Sequence, residues 1–168
     1  MVPENDDPTL EPRFPTLKDL LFLCQRLNQE GAKYIVIGGM AVIEYGFGRA
    51  TEDIDLLVEG SPQNQEKIRA AMLSLPDGAI REVEPGDLEK FVVIRVADEF
   101  VVDLMLKACG VGYNEGASEI EARTIEGIAI PFASPKLLLR LKQTYREKDA
   151  IDRAFLNELI QSRKDKRP

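Results

Sequence analysis

Apolar residues at Leu17, Leu20, Leu21, Cys24 and Leu27 fall along one stripe of a helix that stops at Gly31. Thr16, with Asp19 three positions later, supplies a capping box at its start. The pattern then loses its polar interruptions. Lys33 to Ile37 reads as a short buried strand, and Gly38-Gly39 as a turn into a helix over Met40 to Tyr45 that ends at Gly46 or Gly48. Glu52 to Val58 is the next strand. Ser61-Pro62 is a cap and first-turn pair opening a helix with Ile68, Ala71, Met72 and Leu75 inward, and Pro76-Asp77-Gly78 closes it.

Two further strands, Phe91 to Val96 and Phe100 to Leu106, are joined through Ala97-Asp98-Glu99 in a connection short enough for an antiparallel hairpin. Residues 110–118 read as Gly-rich loop, and Glu121 to Ile125 with Ile128 to Phe132 as a hairpin turning at Glu126-Gly127. Ser134-Pro135 repeats the cap pattern and launches a helix through Leu137, Leu138, Leu141 and Tyr145, followed by a last helix around Ile151, Phe155 and Leu159. This mixture predicts an α/β (α+β) fold with a short mixed sheet and flanking helices. Residues 1–15, rich in Pro and acidic groups, are expected to form a flexible arm, residues 16–133 the core, and residues 134–168 a helical segment with a frayed tail. No internal repeat is visible.

At 168 residues with 44% hydrophobic content, the chain suffices for one compact domain with a sizeable core. No apolar run approaches bilayer length and the first residues lack the pattern of a secretory signal, so a cytoplasmic location without membrane association is expected. Cys24 and Cys109 lie on separate elements without metal-ligand spacing, which predicts reduced thiols. The chain has no histidine, so acid–base chemistry must rest on carboxylates, Lys, Tyr or water, and most hydrolase triads are excluded. The net charge of −7 is unevenly spread. Residues 136–168 carry ten Lys or Arg against five Asp or Glu, while residues 1–60 carry five against eleven. The basic end would suit phosphate across a cleft, or a solvated helix equally well.

Chemistry concentrates at Arg49-Ala50-Thr51-Glu52-Asp53-Ile54-Asp55. In a strand Asp53 and Asp55 point to one side, and two partly buried carboxylates side by side call for a cation such as a hard divalent ion. Asp103 interrupts the apolar run Phe100 to Leu106. It is either a tolerated edge charge or, if its strand neighbours that of Asp53 and Asp55, the third member of a carboxylate cluster. Gly38-Gly39 taken alone is a plain strand-to-helix turn, without the spacing of a dinucleotide fold or a P-loop.

Taken together, the Gly-Gly turn at Gly38 and Gly39, the Asp-x-Asp strand at Asp53 and Asp55, and the later Asp103 resemble the DNA polymerase beta-type nucleotidyltransferase superfamily. The run from Tyr34 to Val58 is most similar to small prokaryotic members related to the nucleotidyltransferase toxins of abortive-infection and toxin-antitoxin systems. Ser134 to Lys142, then Arg146-Glu147-Lys148-Asp149 and Asp152, resembles the helical segment that those proteins place over the nucleotide. The likeness spans roughly residues 17–160 and is specific mainly in the Gly-Gly to Asp-x-Asp block.

The resemblance implies transfer of a nucleoside monophosphate from a nucleoside triphosphate to a hydroxyl of RNA, protein or a small molecule. It implies Mg2+ or Mn2+ held by Asp53, Asp55 and Asp103, with Asp103 also taking the acceptor proton. Gly38, Gly39, Arg49, Thr51, Lys142 and Lys148 are the expected nucleotide contacts, with Arg49 equally suited to a surface ion pair, Lys142 and Lys148 alternatively part of a solvated face, and Arg146 better explained as a solvated side chain. Gly39 is followed by Met40 rather than the Ser of other branches, leaving only backbone donors there. Tyr34, Tyr45, Phe47, Tyr113 and Tyr145 are candidates for base stacking, or core. An antitoxin-like partner belongs to the same expectation. Two alternatives stay open: a catalytically silent nucleotide- or partner-binding protein, and a small-molecule adenylyltransferase of the aminoglycoside type.

Overall fold

The computed structural model describes residues 11–167; residues 1–10, most of the expected arm, lie outside the described residues. A six-stranded sheet and the helices packed on it carry the framework. Helix α1 (Leu17–Gln29) leads into β1 (Tyr34–Ile37), α2 (Gly38–Glu44), β2 (Asp53–Val58) and α3 (Pro62–Met72). A one-turn helix α4 (Asp87–Lys90) precedes β3 (Ile94–Ala97) and β4 (Val101–Met105). After a two-residue hairpin, β5 (Lys107–Ala108) with β6 (Val111–Gly112), come α5 (Tyr113–Gly116), the hairpin β7 (Ile120–Ile125) and β8 (Ile128–Ala133), α6 (Pro135–Leu141) and α7 (Glu147–Asp165).

Six strands form a mixed sheet in the order β3-β4-β2-β1-β8-β7. The hairpins β3–β4 and β7–β8 are antiparallel, as is β1 with β2 across the intervening α2, while β2 with β4 and β1 with β8 are parallel. Strand β1 is buried at every position, as its central place and uninterrupted Tyr-Ile-Val-Ile run require. Helix α1 packs on α3 and β8, and α2 on β1, β2 and α6, with α6 against α7. The core joins Leu20, Leu23 and Leu27 of α1 to Ile35, Leu56, Leu104, Ile130 and Phe132 of the sheet.

Local chemistry accounts for the helix starts. Thr16 and Asp19 close the capping box, and Ser61 and Ser134 each accept a backbone N–H three residues on, with Pro at the next position. Residues just before α1 are held too: the Arg13 N–H donates to the Glu99 carbonyl at 2.9 Å, and its guanidinium pairs with Asp19.

Three expectations change. The helix from Ser134 ends at Leu141 rather than Tyr145, because Lys142 leaves helical geometry and its carbonyl is bonded by Arg153 from α7. Strand β3 begins at Ile94, leaving Phe91-Val92-Val93 unpaired and exposed, since pairing with β4 starts only at Leu104. The Gly-rich loop contains structure: Cys109-Gly110, both at positive φ, turn the β5–β6 hairpin, and α5 follows directly.

Candidate active site

Side-chain alternation and strand register together assemble the acidic centre. Strand β2 presents Asp53 and Asp55 on the face where α2 starts, and its parallel neighbour β4 sets Asp103 directly opposite Asp55. Carboxylate oxygens of the three lie within 4.8 Å of one another. Crowding has an electrostatic cost. Burial first, and then the charges of Asp53 and Asp103, push the Asp55 carboxyl up to about 8, against the opposing pull of Lys142 and Lys148. Asp53 is also raised, by burial and then by Asp103, with Lys148 and Arg95 opposing. A set of hard oxygen donors this close, strained by its own charge, fits a divalent cation.

The cluster opens into a cleft of about 350 Å³ between the sheet and the C-terminal helices, lined by Gly38, Gly39, Arg49, Lys142 and Lys148 among others. Gly38 sits at φ +68°, and a Cβ there would run into the Asp55 carboxylate. At Gly39 a Cβ would come within 2.8 Å of the Thr51 Cβ and 3.1 Å of the Arg49 guanidinium. Both glycines thus make room for the chain's own side chains at the cleft floor.

No protein-family model matches the sequence, and neither does any curated protein. Solved structures do. The lincosamide antibiotic adenylyltransferase LnuA, in a lincomycin-bound structure, superposes with a TM-score of 0.59 at 16% identity, covering 86% of this chain and 98% of its own. An antigenic nucleotidyltransferase-like protein from Paracoccidioides brasiliensis gives 0.54 at 20% identity, over 88% and 78%. The chain has the nucleotidyltransferase fold.

Within that nucleotidyltransferase fold, the expected nucleotide contacts divide. Arg49 is locked bidentately onto Asp152 of α7 at 3.0 and 2.9 Å. Lys142 is buried between the same Asp152, at 2.9 Å, and Asp149, at 3.5 Å. Thr51 is buried, and its hydroxyl donates to the Asp53 carbonyl at 3.2 Å. Lys148 is exposed on the cleft wall and makes no ion pair among the described residues. Arg146 pairs with Asp149. Of the five aromatic candidates, Tyr34 and Tyr45 are core side chains with satisfied hydroxyls, Phe47 packs on Phe155, Tyr113 packs against the core, and only Tyr145 is fully exposed.

Two residues at the centre lie outside the expected site set. Asp152, wholly buried, is the shared anchor of Arg49 and Lys142. Arg95 on β3 faces Asp103 across the ladder and bonds both Asp103 and Asp53. The alternation of Ile94-Arg95-Val96 with the apolar face of β4 is the signal that would have set Arg95 beside Asp103, once the hairpin register was known.

Proposed function

We propose that this protein is a metal-dependent nucleotidyltransferase, moving a nucleoside monophosphate from a nucleoside triphosphate to an acceptor hydroxyl with release of pyrophosphate. The observation that carries the reading is the convergence of Asp53, Asp55 and Asp103 on a cleft whose opposite wall is cationic. Asp53 and Asp55 would hold Mg2+ or Mn2+, and Asp103 would share the ion on the acceptor side. Such ions neutralise phosphate charge and fix an in-line geometry. Asp103 also takes the proton of the attacking hydroxyl as its oxygen bonds to the α-phosphorus and the bond to the pyrophosphate oxygen breaks. That role falls to a carboxylate because the chain has no histidine. Lys148, without an ion pair among the described residues, is placed to meet the outer phosphates, while Arg49 and Lys142, fixed by Asp152, keep positive charge at the rear of the cleft. Gly38, Gly39 and Thr51 shape the floor between them.

A small molecule is the acceptor class favoured by the likeness to the lincosamide enzyme; RNA and protein hydroxyls are the other candidates, and RNA or protein modification would fit a toxin-like role with an antitoxin partner. The test is incubation with each α-labelled nucleoside triphosphate, Mg2+ or Mn2+, and separate pools of small hydroxylated compounds, RNA and protein. Label transferred by the wild type and reduced at least about 100-fold in Asp103→Asn supports the reading, in line with the loss of a general base. Nucleotide bound in a metal-dependent way without any transfer would instead make the protein a silent binding module.

A further inference from the structure

The edge strand of the sheet delivers a cation into the acidic centre. Arg95 directs Nε and Nη2 to the two oxygens of Asp103, each at 3.0 Å, and Nη2 reaches Asp53 Oδ2 at 3.2 Å. It makes no hydrogen bond to Asp55. The guanidinium therefore engages the acceptor-side pair of carboxylates and leaves Asp55 and the second oxygen of Asp53 clear.

We propose that Arg95 is a positioning residue of the metal centre: its guanidinium holds Asp103 against Asp53 until a divalent ion displaces it, so the two ion positions fill unequally. This rests on reading the three aspartates as a metal centre. The planar fork of Arg matches a carboxylate edge and occupies both of its oxygens. An ion at Asp103 needs those same lone pairs, so the two cations compete directly. Charge counting gives the order. With the first ion bound in place of any proton, three carboxylates against one guanidinium leave two negative charges, which that single divalent ion on the Asp53–Asp55 side balances. A second ion enters only as Arg95 leaves. Departure requires no rearrangement of the fold, because the Arg95 side chain is 63% exposed on a four-residue edge strand and can turn into water.

The experiment is a titration of the full chain with Mn2+ alone, without nucleotide, following free Mn2+ by electron paramagnetic resonance and heat by calorimetry. The wild type should bind one ion, with a second at least about tenfold weaker. In Arg95→Gln the second ion should tighten about tenfold, the size of effect one charge-assisted pair controls, while Arg95→Lys, which keeps a charge without the fork, should fall between. Thermal unfolding confirms that each variant is folded. Two equal affinities in the wild type, or a second affinity unchanged in Arg95→Gln, would overturn the role of Arg95. Asp53→Asn separates that failure from a deeper one. If Mn2+ binding survives it undiminished, the metal-centre reading itself falls; if binding is lost there but indifferent to Arg95, only the positioning role falls.

Discussion

Asp55 is where the fold pays most for its chemistry, and the sign of that cost can be measured. Its carboxyl is raised from 3.8 to about 8, chiefly by burial. A raised group favours the folded state fully below its unfolded value and loses that contribution as pH climbs through the folded value. In metal-free protein, stability should therefore fall between about pH 4 and pH 8 more steeply in the wild type than in Asp55→Asn. Saturating Mg2+ should flatten the difference, because an ion replaces the proton. Thermal melts across that pH range, with and without metal, check both statements. The cysteines give a second reading at this scale. Cys24 is buried and its thiol pushed up to about 12, whereas Cys109 is exposed at the cleft. A thiol reagent at pH 8 should modify a single cysteine in the native protein, and mapping the adduct by mass spectrometry should find it on Cys109. At this scale Asp53 and Asp55 were legible because strand alternation is a local rule. Asp103 was legible as an anomaly, a charge within an apolar strand. Arg95 was not, because an exposed arginine on a strand has no unusual neighbours until the register is known.

Among the elements, α7 matters most for the cleft, since it carries both buried anchors of the cationic wall. Asp152 accepts from Arg49 and Lys142 at once, tying α7 to the β2 approach and to the end of α6. Removing one member of a buried ion group leaves charge uncompensated, so Asp152→Asn should cost roughly 3–5 kcal/mol in urea unfolding. If the wall serves nucleotide, its KM for the triphosphate should rise more than its kcat falls, a split that loss of stability alone does not produce. Capped elements were the readable ones: Thr16, Ser61 and Ser134 each announce a helix start through a side chain that bonds three residues ahead. The helix beginning at Asp87 was missed because one turn shows no periodicity. The β5–β6 hairpin was missed because its turn places a cysteine at φ 47°, where sequence rules look for Gly or Asn.

For the whole molecule, the uneven charge acquires a location. Asp53 and Asp55 of the acidic segment lie on the cleft floor and Lys142, Arg146 and Lys148 of the basic segment on its wall, while Arg140 and Arg163 pair with Glu119 and Glu121 outside it. The core does not run through the acidic centre, so chelation should lower the unfolding midpoint by about 10 °C or less and leave the circular dichroism spectrum folded. A complete loss of structure in EDTA would contradict that division. Strand order was beyond the reach of the sequence: local patterns give hairpins, but the parallel pairing of β2 with β4 depends on how distant segments pack.

That parallel pairing also decides what kind of genetic change the centre tolerates. Asp55 meets Asp103 only while β2 and β4 keep step, and shifting either by one residue would turn its carboxylate to the opposite face of the sheet. Substitutions elsewhere leave the step intact. Lineages of this protein should accordingly drift freely in spelling and gain or lose residues in the turns, while the lengths of these two strands stay frozen.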